Sequence, residues 1–182
     1  MKKQPDKQLL KDLSVFQRVL LITDGTVTEL LEQYLGEPIK VVKLYEGIKK
    51  NLSQLPDLHQ SIIHANDSDF LKRETLLQGQ NTLNNWLYAE STIIVDNLAT
   101  DFRRDLLDSH EPIGKLWSKY RCETYKTIVA AGKEPASSLA KHFNIQTTDE
   151  IITRTYSVYS ANKIIMIITE KFPSQFFRGE FL

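Results

Sequence analysis

The sequence predicts an α+β fold, a single domain with a mostly antiparallel sheet flanked by helices. Three observations carry that expectation. Strand-like runs come in neighbouring pairs joined by short turns, Phe70 to Gln78 with Leu83 to Val95, and Ile151 to Tyr159 with Ile164 to Phe172. Runs with helical spacing fall before and between those pairs, whereas a parallel sheet would alternate single strands with single helices. No glycine-rich phosphate loop follows a strand, so the usual mark of a nucleotide-binding α/β fold is missing. A chain of 182 residues fits one domain, 1–182, with a sizeable core and ends (1–7 and 178–182) expected to be flexible.

Taken in order, Leu9, Leu13, Phe16 and Leu20 are spaced four, three and four, which is one face of a helix that Asp24-Gly25 ends. Thr26-Val27-Thr28-Glu29 reads as a capping box opening a second helix, with Val27, Leu30, Leu31 and Tyr34 as its apolar stripe and Gly36 and Pro38 as its stop. Ile39 to Tyr45 is rich in Val, Ile and Tyr and reads as a strand. Asn51 to Asp69, broken by Pro56, reads as a long loop with a short helical turn. Gly79 to Thr82 supplies the turn of the first hairpin, and Thr100 opens a short helix through Leu107. His110-Glu111-Pro112 starts another helix, because proline suits a first turn where its missing N–H is not needed. Gly132 to Pro135 reads as an interruption, Ala136 to Phe143 as a short helix, and Ser160 to Lys163 as the turn of the last hairpin.

Composition narrows the function. Lys plus Arg and Asp plus Glu both number 23, and this balance argues against a nucleic-acid partner, which calls for a basic excess. Ser137 to Ile145 has a faint helix-turn-helix look, but the segment after it is strand-like. No apolar run approaches the roughly 18 residues that span a bilayer, and the polar start lacks a signal peptide's apolar core, so a soluble protein is expected. The single cysteine, Cys122, fits a reducing compartment and reads as a packing residue. The four histidines, His59, His64, His110 and His142, show no metal-ligand spacing.

Two charged residues stand out. Glu170 shares a strand face with Ile164, Met166, Ile168 and Phe172, and a carboxylate there loses hydration unless something pairs with it. It is either a functional acid or a strand-end residue turned to solvent. Arg73 shares its face with Leu71, Thr75 and Leu77, a setting suited to a two-pronged clamp on a carboxylate, or to an edge-strand charge that discourages aggregation. Glu90, in mid-strand, is a candidate partner for Arg73 across the hairpin. The backbone N–H groups at Ile113 and Gly114, and those near Thr26 and Val27, open helices and can meet an anion.

Several of these segments together resemble the chorismate lyase-like family, including its plastid and cyanobacterial members. The stretches are Asp24 to Thr28, the Arg73 strand, Ala89-Glu90-Ser91, Glu111 to Gly114, Glu123 to Lys126, and Ile168-Thr169-Glu170, in family order over roughly residues 8 to 177. The resemblance implies an antiparallel sheet flanked by helices around a pocket closed by flaps. It places the family's functional arginine on Arg73, its functional glutamate on Glu170, its ligand-binding backbone on Ile113 and Gly114, and a flap on Thr26 and Val27. It implies a lyase that splits chorismate into 4-hydroxybenzoate and pyruvate with no cofactor, feeding a ubiquinone or plastoquinone route in cytoplasm or plastid stroma. A monomer is compatible with it, and chorismate is the expected partner. Relatives of the fold that sense ligands in transcription regulators provide the alternative, an aromatic-acid-binding domain without turnover.

Overall fold

A computed structural model of the chain describes residues 7–63, 69–108, 113–121 and 123–179. Its strands are β1 (Ile39–Lys49), β2 (Phe70–Gly79), β3 (Asn85–Ile94), β4 (Tyr125–Pro135), β5 (Glu150–Ser160) and β6 (Lys163–Pro173). They form one sheet in the order β1-β2-β3-β6-β5-β4, and every neighbouring pair is antiparallel. The α-helices among the described residues are α1 (Lys7–Lys11), α2 (Val15–Ile22), α3 (Val27–Leu35), α4 (Asp57–Ile62), α5 (Thr100–Asp108), α6 (Ile113–Lys119) and α7 (Ala140–Phe143). The expected α+β class and antiparallel sheet are therefore present. Two three-stranded meanders meet where β6 pairs with β3, and the long β3-to-β4 connection carries α5 and α6.

Four helices cover one face of the sheet in two separate groups. Near one end of the strands, α2 and α3 bury Phe16, Leu20 and Leu31 against Leu77, Leu87 and Phe172. Towards the other end, α5 and α6 bury Phe102, Leu106 and Leu116 against Leu71, Ile93 and Met166. Between the two apolar clusters lies a band of the same face that carries polar side chains, Arg73, Ser91, Arg154 and Glu170, all buried. On the reverse face α7 packs Ala140 and Phe143 on Leu76, Tyr88 and Ile151, while Leu55 and Ile63 cover Phe70, Ile94 and Ile167.

Several local expectations are corrected. The single helix through Leu9 and Leu20 is two helices, because Ser14 starts a new one: its hydroxyl accepts from Gln17 N–H at 3.2 Å and Gln17 Oε1 accepts from Ser14 N–H at 2.8 Å. The box expected at Thr26 and Glu29 does not form; Thr26 is the N-cap of α3 but makes no capping hydrogen bond. β1 runs on past Tyr45 to Lys49, and Gly132 to Pro135, expected to interrupt, belongs to β4, paired with Glu150 to Thr153 of β5. The tail folds back, and Phe177 is completely buried among Phe16, Tyr34 and Phe172. His110, Glu111, Pro112, His64, Cys122, and the ends 1–6 and 180–182 lie outside the described residues.

His59, on α4, is buried on the reverse face with Nδ1 2.7 Å from Thr92 Oγ1 and Nε2 3.0 Å from Thr169 Oγ1. Burial, helped by the nearby Lys72 charge, pushes its pKa down from 6.5 to about 4. A base whose folded pKa is depressed stabilises the fold when neutral, so its contribution is complete above pH 6.5 and lost as pH falls towards 4. The gap corresponds to about 3 kcal/mol. Urea unfolding at pH 7.5 and 4.5 is expected to show a drop of that order, and His59→Gln to remove most of the pH-dependent part. An equal drop in the variant would assign the loss to other groups.

Candidate active site

The sheet register sets the site in two adjacent rows. One row runs Glu46, Arg73, Ser91, Ile168 and Tyr156 across β1, β2, β3, β6 and β5. The next runs Thr75, Ala89, Glu170 and Arg154 across β2, β3, β6 and β5. Arg73 and Glu170 thus stand two strands apart, about 10 Å across the sheet by ordinary strand spacing. In these two rows the strand between them presents Ala89 and Ser91, whose small side chains leave the space above them open. That space is a cavity, and all six residues singled out in the sequence line it: Thr26, Val27, Arg73, Ile113, Gly114 and Glu170. Water centres can occupy about 70 Å³ of it. That is room for several waters.

Arg73 is buried beside Glu46, with Nε 2.8 Å from Glu46 Oε2. The contact is not aligned as a hydrogen bond, and Arg73 Nε, Arg73 Nη1 and Glu46 Oε2 are buried with no hydrogen-bond partner. Burial pushes the guanidinium pKa down and the Glu46 charge opposes it. A β-bulge at Leu44 creates this pair: register shifts between Lys43 and Tyr45, so Glu46 rather than Tyr45 stands opposite Arg73. The pairing of Arg73 with Glu90 does not occur. Glu90 points to the reverse face and bonds Lys72 at 3.0 Å, because in the Ala89-Glu90-Ser91 stretch alternation gives the site face to Ala89 and Ser91.

Glu170 faces the interior as its alternation required, and it is not a strand-end residue in water. Arg154 Nε donates to its Oε2 at 2.6 Å, and the Tyr156 hydroxyl donates to its Oε1 at 2.8 Å. Each oxygen keeps a free lone pair, so Glu170 reaches the cavity as a hydrogen-bond acceptor. Burial raises the Tyr156 pKa far above its ordinary value, reinforced by the Glu170 charge, so the phenol keeps its proton. Arg154 also donates through Nη1 to the carbonyls of Leu20 and Thr23, where α2 ends. It therefore ties Glu170 to the loop that leads into Thr26.

Arg154 and Tyr156 were not singled out in the sequence, although the signal was there. Ile152, Arg154, Tyr156 and Val158 alternate on one strand face, the same charge-among-apolar pattern that marked Arg73. Lys126 closes the Glu123 to Lys126 stretch of the family resemblance, which assigns it no role. It is buried, its Nζ lies 5.3 Å from the Trp117 ring centre and 5.1 Å from that of Tyr156, and it donates to the Gly25 carbonyl at 2.9 Å. Burial pushes its pKa down, Glu170 and Asp24 oppose that, and Arg154 adds to it.

Gly114 is where α6 meets the start of α3. A Cβ built there would lie 2.2 Å from Thr26 Cγ2, so only glycine permits this approach. The same contact explains the missing capping bond, since the Thr26 methyl is packed against Gly114. Gly114→Ala is expected to cost about 1–3 kcal/mol through overpacking, more than the helix propensity it gains. Adding Thr26→Ser, which deletes the clashing methyl, should restore most of it. Thermal unfolding of the two single variants and the double variant checks this, and simple additivity would show that the two residues do not press on each other.

The fold defines the class first. The effector domain of PhnF from Mycobacterium smegmatis superposes with a TM-score of 0.62 over 85% of this chain and 92% of that one, at 11% identity, so the two share a fold. The chain belongs to the Rv2949c-like chorismate pyruvate-lyase family, whose model matches residues 21–179. The chorismate pyruvate-lyase of Mycobacterium leprae is 30% identical over 85% of this chain and 72% of its own length. That of Mycobacterium tuberculosis is 27% identical over 96% of this chain and 86% of its own. Among the described residues no helix is long and apolar enough to cross a membrane.

Proposed function

We propose that this chain is a chorismate lyase, eliminating pyruvate from chorismate to give 4-hydroxybenzoate. One observation carries the reading: one cavity has a buried guanidinium with unfilled donors on one wall and a carboxylate acceptor two strands away. Chorismate has a ring carboxylate and, across the ring, a hydroxyl. Arg73 holds the carboxylate through its free N–H groups, with the backbone N–H groups of Ile113 and Gly114 beside it. Glu170 accepts a hydrogen bond from the hydroxyl. Thr26 and Val27 form the flap that closes over the ring.

In the reaction the ring C–O bond of the enolpyruvyl ether breaks and the neighbouring hydroxyl-bearing carbon loses its proton. That C–H electron pair becomes the third double bond of an aromatic ring, and the enolpyruvate leaves with the ether electrons and becomes pyruvate on protonation. Aromatisation supplies the driving force, so the protein's work is to hold the reactive conformer and stabilise developing charge. Glu170, with Arg154 and Tyr156 fixing its carboxylate, is the group placed to take the proton.

The product is an aromatic acid suited to quinone synthesis, and we extend the reading to that role, in cytoplasm or plastid stroma. Kinship with the plastid and cyanobacterial branch rests on the sequence motifs, the relatives named above being mycobacterial. Every site residue comes from one chain, so a monomer suffices. The test is purified protein with chorismate, following 4-hydroxybenzoate and pyruvate by chromatography. Equimolar products support the lyase. Saturable binding of 4-hydroxybenzoate without turnover would instead make the chain an aromatic-acid-binding domain of the same fold.

A further inference from the structure

Beyond the inner cavity lies a second, more open basin that reaches Asp24, Gly25, Arg121 and Thr124. The two spaces share four walls, Thr26, Gly114, Trp117 and Lys126. A ligand too long for the inner cavity has to pass between them.

At this neck the structure holds unfilled donors. An ammonium has three N–H groups, and the one hydrogen bond from Lys126 goes to the Gly25 carbonyl. Among the described residues no carboxylate stands within ion-pair distance of it, whereas Arg73 has Glu46 and Arg154 has Glu170. Lys126 is only 9% exposed, so its charge is largely removed from water, and the two carboxylates that act on it, Glu170 and Asp24, do so from beyond ion-pair distance. The Trp117 indole N–H, on the same neck, is buried with no acceptor. A cation with N–H groups to spare, held over the Trp117 and Tyr156 rings, and a neutral donor with no acceptor define a place for an anion.

The substrate chemistry says which anion. This step rests on the lyase reading above. The ether oxygen of chorismate sits on the ring carbon next to the hydroxyl-bearing one. With the ring carboxylate on Arg73 and the hydroxyl on Glu170, the enolpyruvyl group must lie alongside Glu170. Lys126 is there: Tyr156 gives its hydroxyl to Glu170 and its ring face to the ammonium. We propose that Lys126, assisted by the Trp117 indole N–H, binds the carboxylate of the departing three-carbon unit and makes the site selective for a dicarboxylate. The same charge sits beside the ether oxygen as negative charge gathers on it. After cleavage the three-carbon acid leaves through the outer basin, while the aromatic acid stays on Arg73 and Glu170. Lys126 thus acts on substrate and transition state, and Arg73 on substrate and product alike.

The experiment compares wild type, Lys126→Met, Lys126→Arg and Trp117→Phe by calorimetric titration with two stable acids. One is 4-hydroxybenzoate. The other is 3-(carboxymethoxy)-4-hydroxybenzoate, which carries a second carboxylate on an ether next to the hydroxyl. Wild type is expected to prefer the dicarboxylate by about tenfold or more, the scale of one charge-assisted hydrogen bond. Lys126→Met should lose that preference while its 4-hydroxybenzoate affinity stays within about threefold. Lys126→Arg should keep part of it, and Trp117→Phe should lose a smaller share. With chorismate, kcat/KM of Lys126→Met should fall by about 100-fold, as removal of a charged partner from a buried anion predicts. A preference unchanged in Lys126→Met, or equal loss of both acids in that variant while it keeps the wild-type melting temperature, overturns the assignment. Wild type that prefers the dicarboxylate through Lys126 yet never turns chorismate over would leave this inference standing and overturn the lyase reading.

Discussion

Glu170→Gln is expected to lower kcat for chorismate by about 100- to 10,000-fold, the range for removing a positioned acid–base group, with KM little changed. The variant keeps the shape of the side chain and one oxygen that can accept from Arg154. Its amide group can donate to the Tyr156 oxygen, whose hydroxyl now donates to Glu170 at 2.8 Å. It removes the basic carboxylate without opening a cavity. Glu170→Ala is the less informative variant. It strands Arg154, which is 1% exposed and 2.6 Å from Glu170, and breaking such a buried pair costs about 3–5 kcal/mol. Activity lost in Glu170→Ala could then reflect a weakened fold. Single-turnover measurements on Glu170→Gln separate chemistry from binding, and a kcat within a few-fold of wild type would remove Glu170 from the proton transfer.

Arg73→Lys is expected to act differently, raising KM and the 4-hydroxybenzoate dissociation constant together. Truncating one partner of a buried, hydrogen-bonded charge pair costs about 2–5 kcal/mol, or roughly 30- to several-thousand-fold in affinity. Lysine keeps the charge but loses the planar fork, and the two Arg73 nitrogens that now make no hydrogen bond, Nε and Nη1, have no counterpart on an ammonium. The ring carboxylate is present in substrate, transition state and product, so its clamp contributes uniform binding and the loss falls in KM more than in kcat. Normal product affinity in Arg73→Lys would show that the carboxylate is held elsewhere. The contrast between the two variants, kcat for Glu170 and KM for Arg73, is sharper than either loss taken alone.

Alternation along single strands carried most of what could be read beforehand. It put Glu170 on an apolar face and Arg73 among Leu71, Thr75 and Leu77, and both do line the cavity. The same rule along β5 points to Arg154 and Tyr156, which alternate with Ile152 and Val158. Glu46 was beyond its reach. Counting by twos from Val41 and Lys43 gives Tyr45, and only the bulge at Leu44 turns Glu46 towards Arg73. Glu90 misled for a related reason, since neighbours in a motif stand on opposite faces of a strand and the pocket took Ala89 and Ser91 instead. The edge strand β4 was missed because Gly132 and Pro135 are breaking signals in isolation; β5 alongside supplies the pairing that overrides them.

By itself the sequence determined the α+β class, the pairing of strands into hairpins, the two charges that strand periodicity aims at the core, and a family likeness carried by short motifs in order. These are local properties, set by backbone sterics and by the free energy of burying one face of each strand. The tertiary structure alone decided that β6 pairs with β3. That pairing brings Arg73 and Glu170 within one ring's reach over Ala89 and Ser91. It also decided that Thr26 closes on Gly114, and that Lys126 at the neck bonds a backbone carbonyl rather than a carboxylate. Such distances join residues far apart in the chain, and they follow from how two helical groups divide one face of a sheet, which no short window of sequence contains.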